Sequence, residues 1–311
     1  MNDRAKWLQE AKWGVFFHYL PHMASSCETP DMTVEKWNDR VNAFRTEALA
    51  EQLAECGVRY FFITIGQCSG YYLAPNSVYD EIVGRKSSRC AERDLIADLA
   101  DALAKHDIRL LVYLPFLGPG ADKTAANEFD YKYKRNCPDV TAETLRAFHI
   151  KWERVIRQWS EQWGPKVHGW WMDCCYNPEW FSGHAPNFTS FAKAMRAGNP
   201  DSILSFASGK CSYPDVVSEE EEDYTSGEFN GLLPLGFLKR SISDTIGSKQ
   251  GHLLSFLGDY WGVGSPRFSD DFAKHFTREV NSRDFAISWD VPPLVDGTIS
   301  PAFCKQLKAL D

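Results

Sequence analysis

The chain has 311 residues, of which 44% are hydrophobic, and its formal net charge is −8. That length fits one (β/α)8 barrel, because such barrels commonly hold about 250 residues or more as a single unit. Lys and Arg are scattered and form no run, which argues against nucleic acid as a partner, since phosphate binding needs a basic surface. No stretch has the roughly 20 apolar residues that cross a bilayer, and a membrane is therefore not an expected partner.

The N-terminal residues and the cysteines indicate the cellular compartment in which the protein is expected. The first ten residues are polar and lack the apolar segment of a secretory signal. The chain has nine cysteines, an odd number, and is too long to need disulfides for stability. We therefore expect a reduced, cytoplasmic protein, or a secreted one whose signal has been removed.

Short apolar runs alternate with longer amphipathic ones along the whole chain. In chain order, this predicts a strand at 15–20, a helix at 46–56, a strand at 60–65, a helix at 94–106, a strand at 109–116, a helix at 143–163, a strand at 168–174, a helix at 188–197, a strand at 202–206, a weak strand near 215–218, a strand at 252–257, a helix through 272–280, a strand at 285–289 and a helix at 302–310.

Eight strands that alternate for the most part with helices indicate a parallel sheet buried on both faces. The pattern predicts a single-domain TIM-like (β/α)8 barrel that spans residues 1–311. An open doubly wound sheet is the second choice, because no Gly-rich phosphate loop follows the first strand. In a barrel, reacting residues lie where the strands end and in the loops that follow. The loops after strands one and three are long, about 25 residues each, which is typical of loops that shape a cleft.

Asp173 is the main catalytic candidate. It ends the fourth predicted strand, after Gly-Trp-Trp-Met, and a charge at the end of an aromatic strand needs a reason because its burial is costly. One interpretation is a structural carboxylate held by loop amides or an arginine, and the other is a nucleophile that faces the barrel mouth. The aromatic content is also high, at 14%, with 11 tryptophans. Five of these lie at loop starts, where aromatic rings can stack on sugars: Trp37, Trp171, Trp180, Trp261 and Trp289.

Four segments give a specific resemblance. Ala-Lys-Trp-Gly-Val-Phe-Phe-His at 11–18, the stretches at 57–64 and 163–173, and Val-Pro-Pro-Leu-Val-Asp-Gly-Thr-Ile at 291–299 resemble parts of the α-L-fucosidase family of retaining glycosidases, in the family's order. The resemblance implies a catalytic barrel without the appended β-sandwich, with Asp173 as the nucleophile. It also implies that His18 contacts the sugar.

Two departures from the family pattern affect the sugar site. A family His-His pair after the second strand is replaced by Gln67 and Cys68, within a stretch that runs to Tyr71. A family Asn-x-Arg after the fifth strand is replaced by a stretch that ends in Lys210. Because a hydrogen-bonding site rejects substrates that leave its polar groups unpaired, we expect altered sugar specificity.

A retaining mechanism needs a second carboxyl group with a raised pKa. An acidic run follows the sixth predicted strand, and most of such a run is expected to be solvated. Glu228 stands outside the run and is the first choice for the acid/base, Glu222 is the second, and Asp259 and Glu35 remain open.

The sequence thus predicts an exo-acting retaining glycosidase related to α-L-fucosidases, with a carbohydrate substrate and no cofactor. The alternative is a non-catalytic carbohydrate-binding barrel that has lost the acid/base. A metal site at His18, His22 and Asp31 is disfavoured because the spacing is not that of zinc ligands, and no Gly-x-Ser-x-Gly elbow supports serine catalysis. The predicted substrate-binding residues are His18, Trp37, Gln67, Cys68, Tyr71, Trp171, Lys210 and Trp261.

Overall fold

A computed structural model describes residues 3–22, 29, 31–132, 139–208, 217, 219–231 and 246–310. The strands in this part of the chain are β1 Trp13–Phe17, β2 Tyr60–Thr64, β3 Arg109–Pro115, β4 Gly169–Cys175, β5 Ile203–Ser208, β6 His252–Phe256 and β7 Ala286–Asp290. They form one sheet in the order β5-β4-β3-β2-β1-β7-β6, and every pair in it is parallel. Seven of the predicted strands are therefore confirmed, with ends that shift by up to three residues.

Helices surround the sheet. Those in the described residues are α1 Lys6–Ala11, α2 Val34–Asn42, α3 Thr46–Glu55, α4 Ser77–Val83, α5 Leu95–Ala104, α6 Lys123–Glu128, α7 Ala142–Trp163, α8 Phe188–Met195, α9 Asp270–Asn281 and α10 Pro301–Lys308. All six predicted helices are present. The long loops after β1 and β3 contain α2 and α6, which their polar sequences did not reveal. None of the described helices is long and apolar enough to span a membrane.

The sheet is buried on both faces, as its near-continuous apolar strands predict. Along β3, Leu111 and Tyr113 belong to a cluster on the inner face, while Leu110, Val112 and Leu114 pack in the larger outer cluster under the helices. Successive side chains of a strand point to opposite faces, so this alternation sorts every strand residue into one of the two layers. In the register of β3 and β4, Tyr113 pairs with Trp171 on the inner face.

In the described residues the sheet has seven strands and not the predicted eight. Its edge strands β5 and β6 are joined by residues 223–229, which form two isolated parallel bridges on the β6 side, from Tyr224 to Gln250 and from Glu228 to Leu254. The Asp223 amide donates to the Leu204 carbonyl at 2.8 Å, and the Leu254 amide donates to the Gly227 carbonyl at 2.9 Å. Gly227 has φ +55°, and a Cβ there would lie 1.9 Å from the His252 carbonyl oxygen, so the close approach needs glycine.

The described architecture is therefore a seven-stranded partial barrel whose edges are joined by this segment. The weak strand predicted near 215–218 lies outside the described residues except for Val217, which has no regular structure.

The amino ends of the strands carry a buried ion-pair cluster. Asp223 is 1% exposed and lies between Arg4, at 3.0 Å, and Arg196, at 2.5 Å. The same carboxylate accepts the Leu204 amide at 2.9 Å. The cluster ties the start of the chain and α8 to the edge strand β5.

Candidate active site

A pocket of about 280 Å³ opens where the strands end at their carboxyl termini. Its lining combines two carboxyl groups with a histidine, amides and aromatic rings. The lining residues are His18, Gln67, Tyr113, Trp171, Asp173, Tyr176, Glu228, Asn230, Leu254, Tyr260 and Trp261. The pocket therefore brings together six of the predicted site residues, namely Asp173, Glu228, His18, Gln67, Trp171 and Trp261.

Asp173 is held by three neutral donors. The Tyr113 hydroxyl donates to Oδ2, the Tyr176 hydroxyl to Oδ1 at 2.8 Å, and the Cys174 amide to Oδ1 at 2.6 Å. Cys174 adopts a left-handed φ of +63°, the conformation in which its amide meets the carboxylate of the preceding residue. Within the described part of the chain no arginine or lysine pairs with Asp173. The carboxylate is thus fixed in place yet faces an open pocket.

The two tyrosines act as hydrogen-bond donors. Burial, together with the negative charge of Asp173, raises the pKa of both Tyr113 and Tyr176, so both stay protonated. The Gln67 amide nitrogen donates to the Tyr113 oxygen at 3.2 Å. Because a carboxylate only accepts, the single proton of Tyr113 points to Asp173, and Gln67 supports that orientation.

Glu228 is in the opposite electrostatic situation. It is partly buried, and in the described residues its side chain has no hydrogen-bond partner. Burial first, and then the negative charge of Asp173, raise the pKa of Glu228 from 4.5 to about 8. The pocket therefore holds one carboxyl group that accepts three hydrogen bonds and one partly buried carboxyl group whose raised pKa favours its protonated form. Such a pair with divergent protonation is the arrangement used for nucleophile and general acid.

A buried carboxylate fixes the orientation of the His18 ring. Its Nδ1 lies 2.9 Å from Oδ1 of Asp290, a fully buried carboxylate at the end of β7. The other oxygen of Asp290 accepts the Gly262 amide at 2.5 Å. Because the carboxylate accepts the Nδ1 proton, the Nε2 of a neutral His18 is left as an acceptor.

Aromatic rings form the walls. Trp171 stacks on Tyr113, with ring centroids 5.4 Å apart and an interplanar angle of 21°. Trp261 is fixed by a hydrogen bond of 2.7 Å from its indole nitrogen to the side-chain oxygen of Asn230. The pocket is therefore bounded by closely packed aromatic rings, of which Trp261, at 7%, is more exposed than Trp171, at 1%.

Two predicted site residues lie in the core and not in the pocket. Trp37 is fully buried, and its indole nitrogen donates to the Tyr72 carbonyl at 2.9 Å. Tyr71 is 3% exposed and donates to the Met32 carbonyl at 2.8 Å. Their aromatic character was attributed to substrate stacking, but these rings fill space between the barrel and the loop after β1.

Glu222, the second choice for the acid, is also excluded from the pocket. It is 1% exposed, and its carboxylate accepts the amides of Phe206, at 2.9 Å, and Glu219, at 3.1 Å. A carboxylate with these donors stabilises the edge strand β5 and is not free to transfer a proton.

The remaining predicted site residues lie outside the pocket or outside the described residues. Cys68 does not line the pocket and is disulfide-bonded, which departs from the expectation of a fully reduced chain. Lys210 lies outside the described residues. Asp259 and Glu35 are exposed and do not line the pocket, and the described residues contain no cluster of three side chains suited to a metal ion.

Sequence reasoning missed Tyr113, Tyr176 and Asp290 as site residues. The signal for Tyr113 was its place in β3: it is two residues before the strand's end and on the same face as the inward side chains. Tyr176 follows Asp173 by three residues, beyond a turn that periodicity does not reveal. Asp290 directly follows the strand predicted at 285–289, a position that does not by itself indicate a role.

Comparison with known proteins identifies the fold. No family model and no curated protein matches the sequence. Solved structures match it over nearly the whole chain, and the fold is that of the fucosidase-like glycoside hydrolases.

Three of these structures illustrate the likeness. The endo-fucoidan hydrolase P5AFcnA of glycoside hydrolase family 107 is 15% identical, with a TM-score of 0.65 and coverage of 99% of this chain and 92% of that one. The α-L-fucosidase isoenzyme 1 from Paenibacillus thiaminolyticus is 17% identical, with a TM-score of 0.68 and coverage of 99% and 74%. The α-L-fucosidase AlfC from Lactobacillus casei, in complex with its α-L-fucose product, is 15% identical, with a TM-score of 0.66 and coverage of 99% and 97%. At these identities the likeness lies in the fold.

Proposed function

We propose that the protein is a retaining glycoside hydrolase of the α-L-fucosidase type, with a sugar site altered around Gln67. The observation that carries the proposal is the pair of carboxyl groups in one pocket, of which Asp173 accepts three hydrogen bonds and Glu228 is partly buried and has a raised pKa. Retention needs this division of labour between a nucleophile and an acid.

The reaction follows from the two protonation states. The Asp173 carboxylate attacks the anomeric carbon, the bond to the leaving oxygen breaks, and Glu228 gives its proton to that oxygen. The resulting glycosyl ester on Asp173 is then attacked at the anomeric carbon by water. Glu228, now ionised, takes the water's proton, and Asp173 leaves as a carboxylate. Each residue is thus restored at the end of one turnover.

The phenols have a defined part in this cycle. Tyr113 and Tyr176 donate to the carboxylate in the resting state, and they lose a strong acceptor when Asp173 becomes an ester. These bonds hold the nucleophile in one orientation, which lowers the entropic cost of attack. They also stabilise Asp173 as the leaving carboxylate in the second step.

The sugar preference is expected to resemble L-fucose without matching it. His18 keeps the position of a family residue that contacts the sugar, and it offers an Nε2 to a hydroxyl. Gln67 stands where the family has a histidine, and its amide is engaged with Tyr113. The hydroxyl that the missing histidines would bind is therefore recognised differently in this pocket.

A panel of 4-nitrophenyl glycosides tests the proposal, because these activated substrates need little help from an acid. The wild type is expected to release nitrophenol from α-L-fucoside or a close relative, and the first sugar formed should keep its anomeric configuration in proton NMR. The Asp173→Asn variant should lose roughly 10⁴-fold or more in kcat. The exposed Asp201, at the other end of the sheet, provides the matched control Asp201→Asn, which should behave as wild type.

Binding of sugars without any turnover would instead establish the non-catalytic carbohydrate-binding barrel. Turnover with inversion would contradict the assignment of Asp173 as a nucleophile.

A further inference from the structure

Asn230 lines the same pocket as Asp173 and Glu228 but takes no part in the reaction described above. It lies two residues after Glu228, in a segment that runs beside β6. Glu228 forms a parallel bridge with Leu254, and the Phe229 amide donates to the Leu254 carbonyl at 2.8 Å. Because side chains alternate along extended backbone, Glu228 and Asn230 point to the same side, whereas Phe229 packs against the outer core cluster.

The side-chain amide of Asn230 has a defined orientation. The indole nitrogen of Trp261 lies 2.7 Å from Oδ1 of Asn230. An indole N–H can only donate, so the atom that faces it must be an acceptor, which fixes Oδ1 toward Trp261 and leaves Nδ2 on the other side of the amide. Within the part of the chain that the structure describes, no hydrogen bond uses the two N–H groups of Nδ2. They are therefore available to a molecule in the pocket.

Trp261, which orients this amide, is itself held in place. It is 7% exposed, and its ring packs against Phe256 and His18, with ring centroids 4.9 and 5.6 Å apart. A donor that is fixed before binding loses little conformational freedom when it meets its acceptor. The hydrogen bond from Asn230 to a bound molecule should therefore contribute more to affinity than one from an unrestrained surface amide.

The free Nδ2 group determines which chemical group fits beside it. It is uncharged and carries only donors, so its partner must be an acceptor, and the oxygen of a sugar hydroxyl is one. A sugar with hydrogen in place of that hydroxyl cannot form the bond. A sugar with an ammonium group there offers no acceptor either.

We propose that Asn230 determines specificity by donating a hydrogen bond from Nδ2 to one hydroxyl oxygen of the sugar that is cleaved. The inference rests on the proposed function, because it takes the sugar bonded to Asp173 as the molecule in the pocket. Sugars that are hydrolysed well should therefore carry an oxygen at the position that Asn230 contacts.

The test combines Asn230→Ala with monodeoxy analogues of the 4-nitrophenyl glycoside that the wild type hydrolyses best. The variant should lower kcat/KM for the parent glycoside roughly fivefold, as expected for one neutral hydrogen bond. On the analogue that lacks the contacted hydroxyl, variant and wild type should have equal kcat/KM, while the loss persists on the other analogues. A merely structural role would lower kcat/KM on every analogue alike.

Asn230→Asp separates the donor from its anchor, because the new carboxylate still accepts the Trp261 indole but cannot donate. It should depend on the same deoxy position as Asn230→Ala. The matched control Asn42→Ala truncates an exposed asparagine on α2 that does not line the pocket, and it should behave as wild type on every substrate. The glycosyl fluoride of the same sugar, whose leaving group has no ring, should show the same loss in Asn230→Ala as the parent glycoside.

An equal loss on all analogues, or no loss at all, would overturn the inference and leave the proposed function standing. A loss that disappears with the glycosyl fluoride would also overturn it, because the contact would then be with the leaving group. Failure of the wild type to hydrolyse any parent glycoside would count against the proposed function itself.

Discussion

The two ends of the sheet treat acidic residues in opposite ways. At the amino ends of the strands, Asp223 is buried between Arg4 and Arg196 and accepts a strand amide. At the carboxyl ends, Asp173 is held by two phenols and an amide, and Glu228 has no partner in the described residues. A carboxylate paired with two cations can only stabilise the fold, whereas one held by neutral donors keeps its charge available. Under the proposed function, the contrast separates stability at one end of the sheet from chemistry at the other, which is the division found in barrel enzymes.

Among the tests of this contrast, the largest effect on activity is expected from a substitution of Glu228. Glu228→Gln should lower kcat/KM by roughly 10²- to 10⁴-fold on substrates with poor leaving groups, because the proton donor is lost. The loss should be much smaller on 2,4-dinitrophenyl glycosides, whose leaving group needs no proton. Added azide should restore turnover of the activated substrate by replacing water.

Glu222→Gln is the matched control for this variant, since the two residues are six positions apart. It should destabilise the fold and show no dependence on the leaving group. Equal losses of Glu228→Gln on both substrates would remove Glu228 from the role of acid.

The pH dependence of kcat/KM should reflect the titration of Glu228. Because burial and Asp173 raise the pKa of Glu228 to about 8, kcat/KM should fall as pH rises through that value. Glu228→Gln should lack this basic limb. A limb that persists in the variant would belong to another group.

The raised pKa of Glu228 also determines in which direction the unfolding free energy changes with pH. The raised pKa means that the folded state binds this proton more tightly than the unfolded state between pH 4.5 and about 8. The unfolding free energy of the wild type should therefore decrease across that window as pH rises, and Glu228→Gln should show a weaker decrease in thermal melts.

Asp223→Asn tests the other end of the sheet. Removal of one partner from a buried ion pair typically lowers the unfolding free energy by about 3–5 kcal/mol, and here Arg4 and Arg196 each lose one ionic contact. Denaturant unfolding should show this loss, while kcat of the folded protein stays near wild type. Asp101→Asn, which breaks an exposed pair with Lys166, should cost less than about 1 kcal/mol. A large drop in kcat for Asp223→Asn would show that the two ends are not independent.

The smallest effect is expected at Gln67. Gln67→Leu removes one hydrogen bond to Tyr113, which is worth about 1 kcal/mol or roughly fivefold in rate. If Gln67 acts through Tyr113, kcat should fall while KM stays constant, and the effect should vanish in a Tyr113→Phe background. A rise in KM in both backgrounds would assign Gln67 to substrate contact instead.

Much of this architecture could be predicted from the sequence, because parallel strands buried on both faces produce apolar runs that stand out. The joining segment 223–229 could not be predicted, since it forms isolated bridges and contains no apolar run. That Asp173 and Glu228 both line the pocket could be predicted from their places after predicted strands, whereas their catalytic roles stay a prediction. Trp37 and Tyr71 were predicted to bind substrate but lie in the core. An aromatic residue in a loop has the same sequence signature whether it fills a core or faces a ligand. Tyr176 was missed because its contact depends on the left-handed turn at Cys174.

The buried carboxylate of Asp290 couples two separate parts of the pocket rim. One of its oxygens contacts the His18 ring after β1, and the other accepts the Gly262 amide in the loop after β6. A substitution that shifts the imidazole of His18 should therefore also shift the backbone at Gly262, so the two cannot change independently while Asp290 is kept.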